Sequence, residues 1–99
     1  MVRFSLVLID DEHSIRDGIS RALAPVYDVR TYAAAEDALE AIGTAPPDLV
    51  LLDIGLPGMN GIQALARIKE RYPETLVIMI TAYEDVKTVI SAMKLGAYD

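Results

Sequence analysis

The sequence predicts a doubly wound α/β domain built around a parallel sheet. Short apolar runs of four to six residues recur along the chain and are separated by stretches of helical periodicity. Strand-like and helix-like patterns alternate four times, the rhythm of successive parallel β-α-β units. Two of the apolar runs stop at aspartate: residues 4–9 end in Asp10-Asp11, and residues 49–52 end in Asp53. In an open sheet of this kind, ligands bind outside the carboxyl ends of the strands.

Strand one takes residues 4–9. Helix one is expected to run from Ser14, as N-cap, to Leu23, with Ile15, Ile19, Ala22 and Leu23 at helical spacing and Pro25 closing it. Residues 27–32 alternate and are rich in strand formers, which predicts a strand with one wetter face at a sheet edge. Helix two covers 35–42 and turns Ala38, Leu39 and Ile42 inward; Gly43 is its C-cap and Pro46-Pro47 a hard break. Strand three is 49–52, followed by a loop rich in Gly and Pro. Helix three turns Ile62, Leu65 and Ile68 inward and stops before Pro73. Strand four is the apolar run 76–80. Helix four carries Val86, Val89, Ile90 and Met93 and ends at Gly96, and residues 97–99 look like the lead-in to another strand. Right-handed crossovers put these helices on both faces of the sheet.

A length of 99 residues sets one domain, and a hydrophobic content of 53% is enough for a real core, which argues against a disordered or fibrous chain. A net charge of −6 argues against this segment gripping nucleic acid or an anionic membrane. With no cysteine, disulfides, thiol catalysis and Cys-based zinc sites are excluded; with His13 as the only histidine, so is a multi-histidine metal site. The N-terminal apolar run meets charge at Asp10, too soon for a signal peptide, and no run reaches transmembrane length. A cytoplasmic location is expected.

If strands one and three are neighbours, Asp10, Asp11 and Asp53 converge on one small site. Like charges that close resist joint ionisation unless a cation offsets them, and an all-oxygen cluster with open positions suits Mg²⁺. Each residue also has a plainer reading: Asp10 and Asp11 as capping and dipole balance for helix one, Asp53 as a turn residue. What favours the site is the loop 54–61, where Gly55, Gly58 and Gly61 with Pro57 specify a backbone shape able to aim carbonyls and N–H groups at an ion or oxyanion. Thr81 closes strand four and can donate to a phosphoryl oxygen at the same mouth, or merely cap helix four; the small Ala82 beside it leaves room for a ligand. Glu12 reads as solvated surface and His13 as an inert surface histidine. Met59, Met79 and Met93 suit packing. No phosphate-binding lysine loop and no dinucleotide fingerprint is present. Carboxylates, Mg²⁺ and a hydroxyl together suit phosphoryl transfer onto an aspartate.

Leu8-Ile9-Asp10-Asp11-Glu12, Leu51-Leu52-Asp53 with Pro57 and Gly61 following, and Thr81-Ala82 resemble the receiver domains of bacterial two-component response regulators, over nearly the entire chain. Thr81-Ala82-Tyr83 and residues 92–99 look most like receivers fused to ATP-driven transcription activators. The resemblance implies a flavodoxin-like sheet of strand order 2-1-3-4-5. It implies that Asp53 accepts a phosphoryl group from a phosphohistidine on a sensor histidine kinase. It also implies that Asp10 and Asp11 hold Mg²⁺ with Asp53 and the backbone carbonyl of Gly55, and that Thr81 swings toward the phosphoryl group to report its arrival. Such a module is a signalling switch and not an enzyme. The chain departs from the family in lacking the fifth strand and helix, with the lysine and the aromatic switch residue expected there; Lys87 and Lys94 lie on helix four, away from that position. The expectation is a receiver incomplete at its C-terminus, part of a longer regulator. Strand four then becomes an unprotected apolar edge, which predicts self-association through strand four or helix four.

Two other readings belong to different classes. A haloacid-dehalogenase-like phosphatase also uses Asp and Mg²⁺, but its nucleophile follows strand one with a second Asp two residues later, where this chain has Glu12. A phosphorylation-independent interaction module would keep the fold and lose Mg²⁺ binding.

Overall fold

The computed structural model describes residues 3–56 and 58–80. Within them the elements follow in the order β1 (Ser5–Ile9), α1 (His13–Leu23), β2 (Asp28–Tyr32), α2 (Ala35–Ile42), β3 (Leu49–Asp53), α3 (Gly61–Arg71) and β4 (Leu76–Ile80). The strands form one parallel sheet of order β2-β1-β3-β4. This matches the expected order over its first four strands and makes β1 and β3 neighbours. Helix four, Thr81, Met93 and the chain's end lie outside the described residues.

β1 is central and apolar from Leu6 to Ile9, so both of its faces are covered there. Leu6, Val7, Leu8 and Ile9 are all buried, as a strand between two parallel neighbours requires. On one face, Val7, Ile9, Val50, Leu52 and Val77 pack with Ala35, Ala38, Leu39 and Ile42 of α2 and Ala64, Leu65 and Ile68 of α3. Met59, Met79 and Ile62 pack against this core from its margin. The two methionines therefore pack as expected, and Ile62 is only half-buried while Ala64 takes the fully buried position. β2 lies at the end of the strand order and exposes most of its residues, as its alternation predicted.

The other face is less closed. α1 carries its apolar stripe at the expected spacing, yet none of its residues is fully buried, and Ile15 is 38% exposed. Periodicity fixes which face of a helix is apolar, whereas burial depends on how much of the fold packs onto it.

α1 also starts earlier than Ser14. Its first residue is His13 and its N-cap is Glu12, whose side chain makes no capping bond. The reason lies upstream, where the Asp10 carboxylate accepts from the Glu12 N–H at 2.9 Å and so supplies the acceptor at the helix entrance. α2 ends at Gly43 with φ 53°, a left-handed conformation that costs glycine least. α3 opens with a reciprocal capping box between Asn60 and Gln63 and ends at Arg71, with Tyr72 as its C-cap just before Pro73. β3 runs one residue further than the apolar pattern, taking in Asp53.

Candidate metal and phosphoacceptor site

The sheet's register brings the acidic residues together. Ile9 pairs with Leu52 across β1 and β3, so Asp10 and Asp53 are the next residues on adjacent parallel strands. Asp10 is held at the end of β1 by its N–H, which donates to the Tyr32 carbonyl at 3.1 Å. It is almost enclosed, at 5% exposure, while Asp11 is exposed and Asp53 half-buried. One carboxylate oxygen from each of the three lies within 4.8 Å of the others.

The loop after Asp53 is folded tightly back on it. The Asp53 carboxylate accepts from the Gly55 N–H at 3.0 Å, and the Gly61 N–H donates to the Ile54 carbonyl at 3.1 Å. A Cβ on Gly61 would lie 2.4 Å from both the Asp53 carbonyl oxygen and the Ile54 Cα. Only glycine lets the first turn of α3 press this closely on the acidic strand end. Gly58 takes φ 69°, and its missing Cβ leaves room for the Glu36 carboxylate, 3.0 Å from where that atom would be. Three of the loop's glycines were legible as shape-giving residues; that Gly61 serves a close approach of backbone to backbone became visible only in three dimensions.

Burial is the main force raising the Asp53 carboxyl above its ordinary range. The Gly55 N–H works against it, and the nearby Asp10 and Asp11 carboxyls push further upward. A cation between the three would relieve that repulsion. Oxygens around Mg²⁺ stand about 2.9–4.2 Å apart at Mg–O distances of about 2.1 Å. The carboxylate oxygens here lie within 4.8 Å of one another, close enough for all three to face a single cation. The all-oxygen donor set and its mixed burial, one ligand enclosed and one open to water, fit a partly hydrated Mg²⁺.

Asp10, Asp11 and Asp53 are therefore brought together as the sequence predicted, and Gly55 is tied to Asp53 through its N–H. Thr81 lies outside the described residues. Glu12 and His13 are exposed. Asp10 combines two readings that had stood as alternatives, since it both caps the entrance to α1 and joins the carboxylate cluster.

The family model described as "Response regulator receiver domain" matches residues 6–99. The DNA-binding transcriptional regulator NtrC of Escherichia coli is 39% identical, the match covering 100% of this chain and 21% of that protein. The chain thus spans about a fifth of the length of that curated relative. A crystal structure of NtrX from Brucella abortus superposes with a TM-score of 0.90 at 38% identity, covering 99% of this chain and 23% of the other. A CheY-like receiver domain protein from Methanospirillum hungatei superposes with a TM-score of 0.93 at 28% identity, covering 98% of this chain and 78% of the other. With a family match across almost its whole length and its acidic residues gathered at the carboxyl ends of β1 and β3, the chain belongs to the receiver domains of two-component response regulators.

Proposed function

We propose that residues 1–99 form a phosphoacceptor switch in which Asp53 takes a phosphoryl group from the phosphohistidine of a sensor histidine kinase. The observation that carries this reading is the cluster of three carboxylate oxygens within 4.8 Å at the carboxyl ends of two adjacent strands. Asp10, Asp11, Asp53 and the backbone carbonyl of Gly55 would hold Mg²⁺. Bound there, the ion offsets negative charge on the phosphoryl oxygens. An Asp53 carboxylate oxygen attacks phosphorus, the bond from phosphorus to the donor's imidazole nitrogen breaks, and the imidazole leaves with that electron pair. The Gly55 N–H orients the attacking carboxylate, and the enclosed Asp10 keeps the mouth fixed while the exposed Asp11 faces the incoming donor. Thr81 then contacts the phosphoryl group and shifts an existing equilibrium toward the active state.

The switch controls an output domain in the cytoplasm, a transcriptional one by analogy with the named role of NtrC. It makes no nucleic-acid or membrane contact itself; among the described residues no helix is long and apolar enough to cross a membrane. β4, the last strand of the described order, is a surface for self-association. Receiver-family membership supports a signalling module and lends nothing to the dehalogenase-like phosphatase alternative.

The test is incubation of the native gene product containing this chain with a small phosphodonor. Mg²⁺-dependent gain of one phosphoryl mass on wild type, absent in Asp53→Asn, is expected. Uptake without Mg²⁺, or uptake retained in Asp53→Asn, would overturn the reading.

A further inference from the structure

We infer that Arg16 is a positioning residue for the cation site, acting through the backbone of Asp10; this rests on the Mg²⁺-dependent phosphoacceptor reading above. Arg16 sits on the first turn of α1, and its Nη1 donates to the Asp10 carbonyl at 2.7 Å. Asp10 is thereby held at three points. Its N–H is bound to Tyr32 of β2, its carboxylate to the Glu12 N–H, and its carbonyl to Arg16. The Arg16 bond differs from the other two because it ties the strand end directly to a helix side chain. Among the described residues, Arg16 is also the one cationic side chain hydrogen-bonded to any of the three clustered aspartates.

The carbonyl of Asp10 begins the turn that aims two consecutive carboxylates, Asp10 and Asp11, at one cavity. Adjacent residues in extended backbone point to opposite sides, so their convergence needs the chain to bend between them. A charge-assisted bond to the carbonyl at that bend holds its orientation. The half-buried guanidinium is otherwise free of carboxylate partners among the described residues, whose one ion pair joins Arg21 and Asp17. Arg16 is spent on a backbone carbonyl, not on neutralising a particular carboxylate.

Two effects of removing Arg16 have opposite signs, and this makes the inference testable. If the side chain acted through its charge, its removal would tighten Mg²⁺ binding by leaving the site more negative. As an anchor, its removal loosens the turn and weakens binding. Partners that orient metal ligands typically matter by 10- to 100-fold in metal affinity, and a backbone anchor belongs at the low end, about tenfold.

The experiment is calorimetric Mg²⁺ titration of the native gene product as wild type, Arg16→Met, Arg16→Lys and Tyr72→Phe. Arg16→Met keeps the apolar stem and loses the donor, so an Mg²⁺ Kd about tenfold higher than wild type is expected. Arg16→Lys, which keeps one donor, recovers most of that loss. Tyr72→Phe removes the hydroxyl that donates to the Gly43 carbonyl, far from the cluster, and serves as the control for general loosening; it leaves the Mg²⁺ Kd unchanged while lowering thermal stability. Wild-type-like or tighter Mg²⁺ binding in Arg16→Met overturns the role of Arg16 and leaves the phosphoacceptor reading standing. So does an equal loss of Mg²⁺ affinity in Tyr72→Phe. Absence of saturable Mg²⁺ binding in wild type overturns both.

Discussion

The two ends of the sheet use their polar groups in opposite ways. At the amino end, every polar group named is matched. The Asp48 carboxylate accepts from the Ser5 N–H at 2.8 Å while the Asp48 N–H donates to the Ser5 hydroxyl oxygen at 3.1 Å. The buried Thr75 hydroxyl donates to the Pro47 carbonyl at 2.8 Å, and Lys69 donates to the carbonyls of Pro73 and Thr75. At the carboxyl end, three carboxyls are gathered with one another as neighbours, and the fold raises the proton affinity of Asp53. Reciprocal hydrogen bonds stabilise one end, and the other gathers like carboxyls whose mutual repulsion a cation would relieve. Strained or frustrated groups persist only where the surrounding structure over-determines them.

Breaking the acidic end at its centre has the largest expected effect. Asp53→Asn removes the attacking oxygen, and phosphoryl uptake measured by intact mass falls to background. Next is Gly61→Ala, which places a methyl group 2.4 Å from backbone on both Asp53 and Ile54. Overpacking of this kind costs roughly 3 kcal/mol, read by chemical denaturation, and Mg²⁺ affinity falls with it because the loop must move off the strand end. At the amino end, Thr75→Val leaves the Pro47 carbonyl without its donor and costs about 1–3 kcal/mol, with Mg²⁺ affinity unchanged. A loss of Mg²⁺ binding in Thr75→Val would break the separation of the two ends.

The smallest effect is one of pH. The Asp53 carboxyl binds its proton more tightly folded than unfolded, chiefly through burial. The stabilisation this provides is complete below the unfolded value of about 3.9 and is lost as pH rises through the raised folded value. Metal-free protein should therefore show a contribution to thermal stability that declines over that window, and Asp53→Asn should abolish it. Saturating Mg²⁺ should remove the decline, because the cation favours the ionised carboxylate. A stability contribution from Asp53 that rises with pH in the metal-free protein would contradict the burial-driven shift.

Much of this was legible in the linear chain, for identifiable reasons. The four strands stood out because central parallel strands are apolar on both faces, and β2 stood out as an edge because it is not. The pairing of Asp10 with Asp53 was not in the periodicity. It depends on β1 and β3 being neighbours, which the family resemblance implied and the register of Ile9 with Leu52 shows. The capping box at Asn60 and Gln63 has a local spacing readable in the sequence. α1 starts before the expected Ser14 because the acceptor at its entrance comes from Asp10, a residue that also serves the cluster. The need for glycine at position 61, the anchor from Arg16 and the bond from Thr75 to Pro47 are tertiary approaches with no local signature.

The contrast between the two ends is tested most directly by amide-resolved NMR of the protein titrated with Mg²⁺. The account predicts saturable shifts confined to the amides of Asp10, Asp11, Glu12, Asp53 and Gly55, with those of Ser5, Asp48 and Thr75 unmoved. Shifts spread evenly over both ends, or none at the aspartates, would contradict it.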